Sequence, residues 1–322
     1  MMASWAGIDR DPRIGDLVLG RVLRVGENDS LEDGQGRMHP LDVGSQAVFV
    51  HATRYAPDVF EGHLSQGRLG EVDMLSRSGV VGMMVAKNDL VENPTRVEIL
   101  GHVLDGDGTP VNTRDHASPM LRRQVRPGHR LARMILHVGT GMNAGKTTSA
   151  RACCAALAGL GHSVSASKIT GTASVKDILR MKDAGAETVA EFARLGHPST
   201  YLLDEAELVG IFASLEAHCA RDPDGFWVLE LADGILQRET AMMLQNPRLQ
   251  SRIHRLVLSA GDALGALGGL HVLRERFGLV PDTVSGRVSS SPLALRELQE
   301  QADIPVFRNA RPDIGQLRII LL

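Results

Sequence analysis

Apolar residues between positions 14 and 115 come in short runs: "DLVLGRVLRVG", "SQAVFVHATRY", "GVVGMMVAKN" and "TRVEILGHVLD". Val, Leu and Ile dominate these runs, and Gly, Asp and Asn separate them, which is the pattern of β-strands. "LDGDGTPVN" has the Asp-Gly and Pro content of tight turns. The pattern predicts a small barrel or sandwich over residues 1–115, with a short helix near 71–78. Residues 116–133, "HASPMLRRQVRPGHRLAR", carry prolines and basic residues without an apolar period and read as a linker.

From residue 134 strand and helix patterns alternate. "RMILHVG" reads as a buried strand, and "GKTTSARACCAALAGLG" as an Ala- and Leu-rich helix that ends on glycine. "SVSASKITG" predicts a second strand, "VKDILRMKDAG" a helix, and "GFWVLELAD" a third strand. "RIHRLVLSAGD", "TVSGRVS" and "IPVFRN" supply further strand candidates. Alternation at these lengths predicts a parallel sheet covered on both faces over residues 134–322. The fold class expected is therefore α/β, with the parallel-sheet domain preceded by a small β-rich domain.

Composition narrows the function classes. At 322 residues the chain can bury two cores, and a formal charge of −3 provides no basic field for nucleic acid. No run approaches the ~18 apolar residues of a membrane helix. The start of the chain lacks the basic region and apolar run of a signal peptide. Cys153, Cys154 and Cys219 show no C-x-x-C zinc spacing. The expectation is a cytoplasmic protein with no membrane and no nucleic-acid partner.

Candidate chemistry centres on "HVGTGMNAGKTTSA", which follows a strand and opens a helix. That is the setting of a phosphate-binding loop, in which backbone N–H groups and the helix dipole face phosphate oxygens. The residues concerned are Gly139, Thr140, Gly141, Met142, Asn143, Ala144, Gly145, Lys146, Thr147 and Thr148. Lys146 is placed to reach the terminal phosphates, and the Thr147 hydroxyl to take one position on Mg²⁺. The common spacing G-x-x-x-x-G-K-[ST] requires glycine where Thr140 stands; here glycine comes one residue earlier, at Gly139. Lys168 ends the second predicted strand beside Thr170 and Thr172, where a lysine faces the ligand crevice. Glu230 and Asp233 follow the third strand and are the carboxylates expected to complete a magnesium site.

The motif G-T-x-x-x-x-G-K-T resembles the phosphate loop of dethiobiotin synthetase and related P-loop NTPases, among them the amidotransferase-coupled ligases of cobyrinate synthesis. The partitioning and septum-site ATPases carry an additional lysine near the loop start, where this chain has Gly141. "KITGT" resembles the segment with the substrate-facing lysine of dethiobiotin synthetase, which implies that role for Lys168. "ELADG" resembles its E-G-x-G segment, with Glu230 at the glutamate, Leu231 in place of the glycine, and Asp233 added. The resemblance also implies an aspartate after the second strand on the metal, for which Asp177, Asp183 and Glu187 compete; "DAG" at a helix end favours Asp183. Together with "DAGAETV", "PSTYLL" and "SGRVSSSPLA", these segments look like an uncharacterised bacterial group near the D-glutamate N-acetyltransferase type of P-loop protein. That resemblance spans about residues 134–310.

It implies a Mg-ATP-binding enzyme that activates, or transfers phosphoryl to, a small carboxylate, carbamate or amine metabolite. Lys146, Lys168 and Glu230 would be its catalytic residues; Thr147, Glu230, Asp183 and Asp233 would hold the metal. It also implies a homodimer. Two alternatives stand beside it, a CoA-using N-acyltransferase and a non-catalytic nucleotide-dependent switch. The absence of N-K-x-D downstream weighs against a GTP switch. Arg238 and Glu239 are further candidates for the acceptor site, Ser290 and Ser291 for a helix cap or anion site. Arg54, Tyr55 and Glu61 are a polar cluster in the first domain, read either as reaching the site or as a barrel rim.

Overall fold

A computed structural model describes residues 4–7, 10–65, 70–118 and 128–322. Half of the predicted linker, 119–127, lies outside the described residues. The chain divides into two compact units. The first holds Met1–Pro119 together with Gly171–Lys176 and Phe192–Leu202, and the second holds Met120–Thr170, Asp177–Glu191 and Leu203–Leu322. Two short stretches of the predicted parallel-sheet region thus group with the first unit.

The first unit carries β1 (Ser4–Ala6), β2 (Leu17–Arg24), β3 (Ser30–Glu32), β4 (Met38–Pro40) and β5 (Gln46–His51). It continues with β6 (Arg54–Tyr55), β7 (Phe60–His63), β8 (Glu71–Met74), β9 (Val80–Lys87) and β10 (Thr95–Leu104). Strand β10 pairs with β2, β2 with β5, β5 with β9, β9 with β8, and β8 with β10, so the ring closes as a five-stranded barrel. Only β5 and β9 run parallel within that ring. Alternate residues point inward: Val18, Val22, Phe49, Val72, Met74, Val81, Val97 and Ile99 fill the interior as one cluster. The helix expected near 71–78 is instead β8 and the turn after it. Val72, Met74 and Leu75 are buried, and pairing β8 with both β9 and β10 closes the ring, so tertiary pairing decided a run whose local pattern was ambiguous.

In the second unit β11 (Arg133–Gly139) leads through the glycine-rich segment into α1 (Lys146–Gly159). There follow β12 (Val164–Lys168), α2 (Val175–Asp183), β13 (Thr188–Glu191), α3 (Glu205–Cys219) and β14 (Phe226–Glu230). The rest comprises α4 (Arg238–Gln245), α5 (Pro247–Gln250), β15 (Ile253–Ser259), α6 (Ala263–Phe277), β16 (Thr283–Ser285), α7 (Pro292–Gln299) and α8 (Ile314–Leu321). The sheet is parallel throughout, in the order β13-β12-β14-β11-β15-β16. Strand β13 lay unrecognised in "AETVAEF", where an Ala/Glu-rich composition hides a four-residue strand. "IPVFRN" contributes a single parallel bridge, Val284 to Val306, rather than a strand.

Both faces of the sheet are covered, as a purely parallel sheet requires. On one face Ile135, Val164, Ala166, Phe226, Val228 and Val257 pack with Ala150, Cys153, Cys154 and Leu157 of α1 and with Leu317 and Leu321 of α8. On the other, Trp227 stacks near Phe212 of α3 at 5.5 Å between ring centroids, and its indole N–H donates to Ser167. Small alanines and cysteines on α1 bring that helix close to the strands. Its first residue, Lys146, therefore starts directly at the carboxyl edge of β11. Helix α3 is fixed at its start by a capping box of Asp204 and Glu207. No helix among the described residues is long and apolar enough to cross a membrane.

Candidate functional site

Strand alternation and register decide which side chains meet. Phe226 and Val228 of β14 face α1, so Glu230, two residues further, faces the same way. On β12 the same parity carries Val164 and Ala166 to Lys168. Lys168 is the register partner of Glu230, and so is His137 of β11 on the other side. The strand order therefore sets Lys168, Glu230 and His137 side by side under the start of α1. This juxtaposition needs β14 between β12 and β11, which the sequence alone did not reveal.

The glycine-rich segment runs from Gly139 at the end of β11 to Gly145 at the N-cap of α1. Gly145 has φ 103°, a left-handed conformation that favours glycine, and Asn143 has φ 58°. These two residues of positive φ let the segment turn so that the Gly141 carbonyl meets the Lys146 side chain. Lys146 is buried, and its Nζ donates to the carbonyl oxygens of Gly141 at 2.8 Å and Asp233 at 2.5 Å. Burial holds its pKa below the ordinary lysine value, against the opposing pull of Glu230 and Asp233. Thr147 Oγ1 donates to Glu230 Oε1 at 3.1 Å. Thr148, next in the helix, is half-buried.

Glu230 is 2% exposed and its Oε2 is buried without a hydrogen-bond partner. Burial raises its pKa, and this outweighs the attraction of Lys168 and Lys146 and the Thr147 hydrogen bond. Lys168 Nζ lies 2.6 Å from Asp177 Oδ2. Burial alone would depress the Lys168 pKa; Asp177, Glu230 and Glu191 raise it instead. Asp177 is held in the charged form by Lys168 despite its own burial. Two lysines and two carboxylates thus converge beside the loop, with one carboxylate oxygen unsatisfied.

Of the three carboxylates that compete after the second strand, Asp177 in the first turn of α2 is the one that joins this cluster. Asp183 stands exposed at the far end of the same helix. Six residues separate them, about 9 Å of helix rise and most of two turns, so both cannot face Lys168. Glu187 is exposed and accepts from Ser163 at 3.4 Å. Asp233 is half-buried with φ 56°; its carbonyl engages Lys146 and its carboxylate charge acts on Lys146. The described residues hold no cluster of three or more His, Cys, Asp or Glu arranged to bind a metal.

The remaining candidates make contacts of their own. Arg238 donates to the carbonyl of Leu203 and to Glu239, which is fully buried and also accepts from Gln237. Ser291 caps α7 by accepting from the Ala294 N–H, so it serves as the helix cap. In the first unit Glu61 Oε1 accepts from Tyr201 at 2.6 Å and from His63 at 3.1 Å, while the Tyr55 ring lies 5.5 Å from that of Tyr201. Sequence reading missed His137, which is fully buried on β11 with neither ring nitrogen hydrogen-bonded. Burial pushes its pKa down to about 3, so it is a neutral imidazole. It also missed Asn309, more than 150 residues from the loop it touches.

A parallel sheet, a glycine-rich turn with its lysine folded in, and a helix that starts on that lysine meet at the carboxyl edge of β11. The second unit has a P-loop-type α/β fold. No protein-family model matches the chain, and no curated protein matches it. Solved structures similar to it include the signal recognition particle receptor FtsY from Elizabethkingia anophelis, at 15% identity over 65% of this chain and 71% of that one, with a TM-score of 0.37. The same receptor in complex with GDP is 12% identical over 64% of this chain and 66% of that one, with a TM-score of 0.38.

Proposed function

We propose that the chain is a Mg-ATP-dependent enzyme that activates, or transfers phosphoryl to, a small carboxylate, carbamate or amine. The observation that carries this is the buried cluster at the loop, in which Thr147 meets Glu230 and Lys168 stands in register beside it. Lys146 now spends its hydrogen bonds on two carbonyl oxygens, and anionic oxygens in the same place would make stronger, charge-assisted bonds. The amide groups of the loop and the first turn of α1 would bind the remaining phosphate oxygens.

The donor set fits magnesium. Glu230 Oε2 is buried and unsatisfied, and the Thr147 hydroxyl is within hydrogen-bond reach of the same carboxylate. Thr147 and Glu230 would hold the ion, with Asp177 the α2 carboxylate placed to assist in preference to Asp183 and with Asp233 reaching it through water. Magnesium takes few protein ligands and fills its sphere with phosphate and water oxygens. When bound, it neutralises charge on the terminal phosphates. Lys168, held cationic by Asp177, would attract an anionic acceptor to the crevice and stabilise charge during transfer.

Calorimetry with Mg-ATP, Mg-GTP and acetyl-CoA tests the reading. Mg-ATP should bind, and binding should vanish in Lys146→Ala. Binding of acetyl-CoA without Mg-ATP would put an acyl transferase in its place, and preference for Mg-GTP would overturn the nucleotide assignment.

A further inference from the structure

Behind the loop, on the side away from Lys168, lies a group of polar side chains that the proposed chemistry does not use. Ser149, Ser259, Ser285, Ser289 and Asn309 are all buried, and Ser149, Ser259 and Ser285 have no exposed surface. They come from α1, β15, β16, the turn after β16, and the segment before α8. Ser149 Oγ is their centre: it accepts from Ser259 Oγ at 3.2 Å and Asn309 Nδ2 at 3.1 Å, and lies 3.1 Å from both Ser285 Oγ and the Gly145 carbonyl oxygen. Asn309 Nδ2 also donates to that carbonyl at 3.4 Å. The backbone N–H of Asn309 donates to Ser289 Oγ at 3.4 Å, and Ser285 Oγ donates to the carbonyl of Phe307 at 3.0 Å.

The same segments touch the loop backbone. The N–H of Arg287 donates to the carbonyl of Ala144 at 3.0 Å. A Cβ added at Gly145 would come within 2.9 Å of Gly286 Cα and 3.1 Å of Asn309 Nδ2. One added at Gly286 would come within 2.4 Å of the Ala144 carbonyl oxygen. Loop and turn are therefore packed backbone to backbone, and Asn309 closes the gap with its amide nitrogen. Carbonyls at Ala144 and Gly145 that are tied backward leave the loop's N–H groups facing forward.

We infer that Asn309 is a positioning residue for the phosphate loop: through Ser149 and the Gly145 carbonyl it fixes the loop in its phosphate-binding shape. The inference rests on the phosphate-loop reading above. It distinguishes Asn309 from a residue that reads the nucleotide base, because its amide protons are directed at the loop itself. Buried hydroxyl and amide groups cost stability unless each is paired, and this group is paired through the loop.

The test is calorimetry of the full chain with Mg-ATP and, separately, with Mg-pyrophosphate, for wild type, Asn309→Ala and Ser149→Ala. Circular dichroism and the thermal midpoint establish that each variant is folded at the temperature used. A positioning role predicts that Asn309→Ala weakens both ligands alike, by about tenfold, the equivalent of one lost hydrogen bond. Ser149→Ala, a smaller change that touches no phosphate, should weaken both in the same direction. Loss of Mg-ATP affinity with pyrophosphate unchanged would make Asn309 a base reader and overturn the inference. A lowered midpoint with both affinities unchanged would make the network merely structural and overturn it too. Should Asn309→Ala fail to fold, the Ser149→Ala comparison decides by the same criteria. Wild type binding neither ligand would instead refute the phosphate-loop reading, and the inference with it.

Discussion

Replacing Glu230 by glutamine separates the cost of the site from its use. The Glu230 carboxylate is 2% exposed, one oxygen receives a single hydrogen bond from Thr147, and the other has no partner. Burial raises its pKa even with Lys168 and Lys146 nearby, so its charged form is disfavoured by folding. The sign follows. Above the unfolded value of 4.5 and up through the raised folded value, the native state binds more protons than the unfolded state, and stability falls as pH rises. Glutamine has no such loss, and its carbonyl oxygen can still accept from Thr147. Its amide nitrogen is as unpartnered as Oε2 but uncharged, so the variant sheds only the charge part of the burial cost, about 1–3 kcal/mol. At this chain length each kcal/mol moves the thermal midpoint by about 2 °C, so Glu230→Gln should melt about 2–6 °C higher at pH 8 than wild type. Thermal scans between pH 5 and 8 should show the gap widening with pH. Mg-ATP should stabilise wild type and leave the variant unmoved. A variant that melts lower than wild type at pH 8, or a gap that narrows as pH rises, would mean that the buried Glu230 charge does not destabilise the fold.

Other outcomes follow from the same geometry. Lys168→Met strands Asp177 and Glu230 without their cation, at a cost of about 3–5 kcal/mol. The double variant Lys168→Met/Asp177→Leu should recover the Asp177 share of that cost in thermal scans. Gly286→Ala should destabilise by about 2–4 kcal/mol, because φ 95° and ψ −162° suit only glycine and the added methyl meets the Ala144 carbonyl; denaturant titration measures it. His137 is held neutral down to about pH 3, and His51 on the barrel down to about 4. As pH falls below the unfolded value of 6.5, the unfolded chain takes protons that these folded sites refuse, and stability drops. His137→Leu should therefore flatten the fall in thermal midpoint between pH 6.5 and 4.

The sequence disclosed what is local. A strand, a glycine-rich turn and an Ala-rich helix are contiguous, so residues 133–159 were legible, as was the division into a β-rich part and an alternating part. Lys168 and Glu230 were singled out because each closes a predicted strand. What stayed hidden depends on pairing between distant segments. The run at 71–78 became a strand because β9 and β10 needed it to close the barrel. Asp177 rather than Asp183 meets Lys168 because of where α2 starts, a matter of most of two helical turns that composition does not encode. Asn309 touches Gly145 only because β15 and β16 extend the sheet beyond β11.

The most direct test of the account is a calorimetric titration of the wild-type chain with ATP, with and without Mg²⁺, repeated with Lys146→Ala. Wild type should bind ATP only with Mg²⁺ present, and the variant not at all. Undiminished binding to Lys146→Ala, or no binding to wild type, would contradict it.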